Sequence, residues 1–433
     1  MANAEDTRAG QAIPLRHVAA VVAGNALEFY DFLAYSFFAL QIGRAFFPSQ
    51  DPHSSLLLSL ATFGAGFLAR PIGGLVIGRY ADRAGRKPAM MLSFSLMGIS
   101  IVGLALTPPY RSIGVAAPIM VLAWRLIQGF ALGGEVGPTT AFLIEAAPPA
   151  RRGFYSSLQF ATQDFAIFVA GGVGFALSAV MSDSALDDWG WRIAFLIGAL
   201  VVPVGLAIRR TLPETLHSGE GGRPAQSRAE QPYLGVAVLG VIMLAESAVI
   251  GYVQTYLTTY AAGTLRMSSR VAFAATIING LVQACFSPVG GILSDRFGRK
   301  PVMIIFSLLL AVSVLPAFLA MIAFRTPSAV YGATALMAVF AGIAAPPILT
   351  AITEALPQRV RAGALATIYA LALSVFGGST QFVVAWLIGV TGNPYMPGWT
   401  MVVALIFGLG AMLMMPETCP AARHREPSAA AGS

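Results

Sequence analysis

Charge is what this sequence has least of. Asp, Glu, Lys and Arg make up 11% of 433 residues, against about 25% in a typical soluble domain. A soluble chain of this length could not cover its surface with so little charge, so its solvent is expected to be lipid. Lysine occurs only at Lys87 and Lys300, and arginine does the work elsewhere. Cysteine is confined to Cys285 and Cys419, which excludes a disulfide framework and a cysteine-based metal site. His17, His53, His217 and His424 are scattered over ends and loops, so no metal-dependent enzyme is expected and no cofactor is assigned. Nothing matches G-x-x-x-x-G-K-[ST], and ATP-driven pumping is therefore unsupported. The alternating pattern of a membrane barrel is also missing. No cleavable signal is expected, because the first apolar run is long and carries acids.

What is present is apolar length. Hydrophobic residues account for 56% of the chain and mean hydropathy is +0.72. Runs of about 20 apolar residues, the length that crosses a bilayer core, recur throughout. They predict spans at 18–42, 56–78, 90–107, 113–145, 154–181 and 190–208. A second set follows at 233–261, 271–293, 302–324, 328–354, 363–390 and 398–415. The expected fold is an all-α membrane protein with twelve transmembrane helices. Nineteen of the 27 arginines and lysines fall in loops on the side of the termini and six on the opposite side, with Arg70 and Arg125 inside spans. Positive loops stay inside, so both termini are expected in the cytoplasm. The same bias accounts for the net charge of +7 without a nucleic-acid partner. Trp189, Trp191, Tyr395 and Trp399 then form an outer aromatic belt.

The chain repeats itself. Gly78-Arg-Tyr-Ala-Asp82-Arg-Ala-Gly85-Arg86-Lys87-Pro88 matches Gly291-Ile-Leu-Ser-Asp295-Arg-Phe-Gly298-Arg299-Lys300-Pro301, Glu145 to Arg152 matches Glu354 to Arg361, and Pro213-Glu214-Thr215 matches Pro416-Glu417-Thr418. Three matches in the same order at nearly constant offset indicate duplication. The polar, glycine-bearing stretch 210–232 is the linker. The expected division is a six-helix bundle at 1–209, a cytoplasmic linker at 210–232, a second six-helix bundle at 233–415 and a tail at 416–433.

The duplicated loop G-x-x-x-D-R-x-G-R-K resembles the signature of the major facilitator superfamily, and the likeness extends over essentially the whole chain. It implies two pseudo-symmetric six-helix bundles working by alternating access. A narrower set is similar to the metabolite–proton symporter family, with its citrate, 2-oxoglutarate, shikimate and proline/betaine carriers. It comprises Gly24-Asn25-Ala-Leu-Glu28-Phe-Tyr-Asp31-Phe32, Gly66-Phe-Leu-Ala-Arg70-Pro71-Ile72-Gly73-Gly74, Arg125-Leu-Ile-Gln128-Gly129, Gly133-Gly134-Glu135 and Asp188-Trp189-Gly190-Trp191-Arg192. The stretch around Trp189 and the ending Thr391-Gly392 to Gly398-Trp399 lean toward the citrate-like members. Asp164 departs from the family pattern, which has an amide or apolar residue there. The tail after Pro416 lacks the heptads of osmosensing proline/betaine carriers. The fifth span reads Val169-Ala-Gly171-Gly172-Val-Gly174 without the Gly-Pro of many antiporters, which favours symport or uniport.

Ionisable groups inside a bilayer are functional candidates by default. Glu28 and Asp31 share one face of the first span at about mid-depth. Arg125 reaches similar depth in the fourth, with Gln128 and Glu135 along its stripe. An acid and an arginine at one depth make a pair whose strength depends on protonation. The resemblance implies proton coupling through a first-span acid and a fourth-span arginine, which names Asp31 and Arg125, and Glu28 and Glu135 are the further proton-coupling candidates. Arg125, Arg70, Gln128, Tyr256, Asn279 and Gln283 are the substrate-binding candidates, since guanidinium matches carboxylate bidentately. Gln254, Tyr260 and Tyr369 are further polar candidates, and Asp164 and Glu246 further acids; helix packing accounts for each equally well. Asp82, Arg86, Arg152, Asp295, Arg299 and Arg361 are read as gating residues, with Asp82 near the start of the eleventh span and Asp295 near the start of the fifth. The arginines among them also satisfy topology alone. The expected function is proton-coupled symport of a small organic acid, citrate or a dicarboxylate, by a monomer in a bacterial inner membrane. An exporter or uniporter of a zwitterionic or aromatic metabolite and a solute sensor are the alternatives.

Overall fold

The computed structural model describes residues 29, 30, 32–133, 147–211, 233–357 and 361–420. Glu28, Asp31 and Glu135 lie outside the described residues, as do the side chains of Asp82 and Arg86.

The described chain is all helix. Helical residues 32–37 lead into α1 (Ala39–Phe46). Then come α2 (Pro52–Ala81), α3 (Pro88–Leu106), α4 (Ala116–Gly133) and α5 (Arg152–Val180), followed by α6 (Trp191–Thr211). The second half holds α7 (Leu234–Thr264), α8 (Ser269–Phe297), α9 (Arg299–Phe324), α10 (Pro327–Ala355), α11 (Gly363–Thr391) and α12 (Met396–Met414). Ten of these helices are long and apolar enough to cross a membrane. Each coincides with an expected span, and α6 occupies the place of the sixth. The expected span 113–145 divides: a turn of helix at Tyr110–Ile113 precedes α4, and the segment beyond Gly133 lies outside the described residues.

Local chemistry sets the helix ends. Asp51 accepts from the backbone N–H groups of His53 and Ser54 at the start of α2, and Thr326 does the same for α10 through Ala329, satisfying donors that a helix start leaves open. The α2–α3 and α8–α9 turns pivot on Gly85 (φ 108°) and Gly298 (φ 110°), a backbone region that side chains disfavour. The duplicated motif thus performs the same backbone task twice. Prolines 288, 316, 346 and 347 sit inside helices, each leaving the carbonyl four residues earlier without its N–H partner, which membrane helices tolerate where neighbouring groups re-satisfy it.

The helices pack backbone to backbone through glycine. A Cβ on Gly129 would stand 1.7 Å from the Gly66 carbonyl oxygen, and one on Gly133 2.0 Å from that of Arg70, so α4 lies directly on α2. Across the halves, Gly153 and Gly280 put α5 on α8, with Gly280 facing the Phe168 amide, and Gly64 meets Gly378 between α2 and α11. Lipid supplies no hydrophobic drive between helices, and close approach of this kind provides the dispersion contact that replaces it.

Candidate functional site

Two buried arginines sit behind a wall of aromatic rings. Arg125 on α4 has no exposed surface. Its guanidinium donates to the Gln128 side-chain oxygen at 2.5 Å and to the Phe63 carbonyl at 3.4 Å. Its Cζ lies 4.6 Å from the Phe32 ring, 4.6 Å from Tyr35 and 5.0 Å from Phe63. Arg70 on α2 lies 4.4 Å from the same Phe32 ring and 4.1 Å from Phe67. Burying a guanidinium costs several kcal/mol, and each desolvated cation–π contact offsets about 2 kcal/mol. The spacing 63, 67, 70 places both phenylalanines and Arg70 on one helical stripe, which is why they converge.

The wall reaches into the second half. Tyr252 on α7 meets Phe67 edge-on at 5.4 Å and Phe63 at 6.2 Å, and lies within electrostatic reach of Arg70. Beside it, Gln381 on α11 donates to Ser36 at 2.6 Å and to Thr255 at 2.9 Å. Several polar atoms in the two helix sets are buried without a hydrogen-bond partner among the described residues: Arg125 Nε, Gln128 Nε2, the Tyr35 hydroxyl and both polar atoms of Gln254. Such orphans are costly and are groups a polar ligand can satisfy.

The structure therefore brings Arg125, Gln128 and Arg70 together. Asn279 and Gln283 form a separate pair one turn apart on α8, at 3.0 Å. Tyr256 packs in a different apolar cluster with Leu56, Leu60 and Tyr260. Phe32, Tyr35, Phe63, Phe67, Tyr252 and Gln381 were not anticipated.

A second constellation closes one end of the bundle, the end expected to face the cytoplasm. Asp295 at the end of α8 accepts from the Gly153 and Phe154 amides at the start of α5, at 2.9 Å each. Arg299, 1% exposed, donates to Asp295 at 2.6 Å and bridges to both oxygens of Glu354 at 3.3 Å. Arg152 lies 3.9 Å from Glu354. Glu417 caps α9 through the Arg299 and Lys300 amides at 3.0 and 2.9 Å, Thr418 donates to Glu354 at 2.8 Å, and the Cys419 thiol rests on the Asp295 carbonyl. Arg361 donates to the carbonyl of Leu356, five residues before it. A recess of about 450 Å³ lined by Ala150, Arg151, Phe154, Ile292, Asp295 and Arg296 opens beside this clasp. Glu354 and Glu417 belong to the repeated motifs, yet their spacing alone assigned them no partner.

Comparison with known proteins fits this architecture. Residues 17–221 match the family described as Sugar (and other) transporter, and residues 257–432 match the Major Facilitator Superfamily. The chain is 39% identical to a citrate-proton symporter of Klebsiella pneumoniae over 396 residues, 90% of this chain and 89% of that one. It is 36% identical to the alpha-ketoglutarate permease of Escherichia coli K12 (83% of this chain and 84% of that one). It is 31% identical to that organism's proline/betaine transporter (93% and 83%). A crystal structure of a D-xylose-proton symporter superposes with a TM-score of 0.75 at 21% identity, covering 93% of this chain and 98% of that one, which shows the fold. With its all-helical bundle and these relatives, the chain belongs to the metabolite–proton symporter family of the major facilitator superfamily and is a multi-pass membrane transporter, not an enzyme.

Proposed function

We propose that the protein is a proton-driven symporter of a small organic acid, citrate or a dicarboxylate. The observation that carries this reading is the pair of guanidiniums, Arg70 and Arg125, both packed on the Phe32 ring inside an apolar wall. Two planar forks with buried orphan donors around them suit a ligand with more than one carboxylate. The Klebsiella relative named a citrate-proton symporter supports the same substrate class. A zwitterionic betaine fits less well. The ring faces that would receive its quaternary ammonium already face Arg70 and Arg125, and the ammonium would meet two positive charges.

In this reading twelve helices form bundles at 1–209 and 233–415, with both termini in the cytoplasm of a bacterial inner membrane. Asp31, with Glu28 and Glu135 in support, exchanges a proton with the site and so governs how strongly Arg125 is held. Asp82, Arg86 and Arg361 form the counterpart of the clasp made by Asp295, Arg299 and Arg152. Alternating access moves the site from one face to the other.

The decisive experiment is uptake into proteoliposomes under an imposed pH gradient, with citrate, 2-oxoglutarate and glycine betaine as separate substrates. Gradient-driven accumulation of a carboxylate is expected. Accumulation of betaine alone, or carboxylate uptake indifferent to the gradient, would overturn the reading.

A further inference from the structure

Helices α5 and α8 come from different halves and lie against each other along their length. Their seam is fastened at both ends. At one end Asp295 caps Gly153 and Phe154. At the other, Arg270 on α8 donates to the Ser178 and Ala179 carbonyls of α5 at 3.0 and 3.1 Å. Between the fastenings sits a carboxyl group, Asp164, 8% exposed. It lies twelve residues into α5, roughly 18 Å from the clasp at 1.5 Å per residue. Its described partner is a hydroxyl across the seam: Ser287 of α8, 1% exposed, donates to Asp164 Oδ2 at 3.1 Å. Two turns along α8 from Ser287 the backbones touch, since a Cβ on Gly280 would stand 2.7 Å from the Asp164 carbonyl oxygen.

Among the described residues no cation is at hand to hold a carboxylate here. Among the described residues, α8 carries its charges at its two ends, Arg270, Asp295 and Arg296. The elements flanking α5 do likewise. On α10 the charged group is Glu354, held by Arg299 and Arg152, with Tyr331 titratable near the other end. On α6 the described charge is Arg192, which donates to the Ala105 and Thr107 carbonyls. On α5 itself it is Arg152, at the clasp. An ionised carboxylate buried against one hydroxyl is expensive, and the neutral acid is the form this seam accommodates.

We propose that Asp164 is a proton-carrying site of the transport cycle, resting on the symport reading above. With both fastenings made, Ser287 donates to one oxygen and the other carries the proton. When the Asp295 end parts, water reaches the seam, the O–H bond breaks, the proton passes to that water and the carboxylate is hydrated. When the Arg270 end parts instead, Asp164 takes a proton from water on the opposite side. The two fastenings on one helix pair give the group access to one side at a time.

The test uses the full chain in proteoliposomes with citrate as the probe, comparing wild type with Asp164→Asn. Static-head accumulation against imposed pH gradients reads the proton-to-citrate ratio. It is expected to fall by one proton in Asp164→Asn while radiolabelled citrate counterflow persists; an unchanged ratio overturns the proposal. If wild type accumulates no citrate, the symport reading fails with this probe and a substrate-free arm judges Asp164. There, infrared difference spectra across a pH step in nanodiscs should show a neutral-carboxyl carbonyl band that Asp164→Asn removes. Identical spectra for the two proteins overturn the proposal. Should Asp164→Asn fail to insert, Ser287→Ala keeps the acid and should shift that band, and an unmoved band is again fatal.

Discussion

Asp295 accepts a hydrogen bond from the backbone amide of Gly153 at 2.9 Å, so a carboxylate of the second half caps the first turn of a helix in the first. The contact joins charge to a helix start, where the partial positive charge of the peptide dipoles favours an anion. It also lies across the boundary that would have to open in the alternating access proposed above. Asp295→Asn removes the charge and should weaken the contact by roughly 1 kcal/mol, about fivefold in the closed-to-open ratio. The protein carries its own reporter. Cys419 is 2% exposed beneath the clasp, and in a Cys285→Ser background its labelling by an impermeant maleimide should rise about as much. Labelling that stays at the wild-type rate would show that Asp295 does not hold this end shut.

Glu354 receives both arms of Arg299 and the Thr418 hydroxyl. Removing its charge leaves Arg299 buried with Asp295 as its remaining carboxylate. Breaking a buried pair from one side costs roughly 3 kcal/mol, and the surviving Asp295 bridge reduces this to about 2. Glu354→Gln should therefore lower the melting temperature in detergent by several degrees, far more than a surface Glu→Gln. An unshifted melt would mean that the clasp contributes little to the folded state.

Gly129 and Gly78 make a matched pair of substitutions. A Cβ at Gly129 would enter the Gly66 backbone at 1.7 Å, whereas at Gly78 nothing lies within 4 Å. Gly129→Ala must push α4 off α2, with a penalty of about 1–3 kcal/mol, and should also disturb Arg125 four residues earlier. Gly78→Ala should be neutral or slightly stabilising through helix propensity. Equal melting temperatures for the two variants would contradict the described α2–α4 contact.

Arg125 and Asp31 test the coupling itself. Arg125→Lys keeps the charge but loses the planar fork that engages Gln128. Citrate uptake should fall by roughly tenfold or more, about the worth of a charged hydrogen bond. Asp31→Asn should abolish pH-driven accumulation and leave citrate counterflow partly intact, because exchange moves no net proton. Normal accumulation by Asp31→Asn would remove that acid from the mechanism and direct attention to Glu28 and Glu135.

The parts of this molecule that were legible in the sequence carry their signal in residue type and spacing. Span length follows from bilayer thickness, and ten helices fall where apolar length placed them. Gly85 and Gly298 stood out because a motif recurred, and their shared positive φ is the physical reason for the glycine. The aromatic wall was silent. Phe32, Phe63 and Phe67 are apolar residues in apolar spans, and nothing distinguishes a ring facing an arginine from one facing lipid until the helices are placed. The one faint trace was the 63–67–70 stripe. Glu354 and Glu417 were visible as repeats, but Arg299, which links them, is remote from both in sequence.

The glycine seam between α5 and α8 has a mechanical consequence. Where Gly291 lies on Gly153 and Gly280 on Phe168, main chain meets main chain, and side chains such as the Phe273 ring against Gly174 fill the stretches between. Such a surface behaves as a smooth bearing. In the proposed alternating access, one half can shift on the other over the glycine contacts without lifting knobs out of holes. The work of opening is then concentrated in the few polar fastenings at its ends, where single residues can set the speed of the machine.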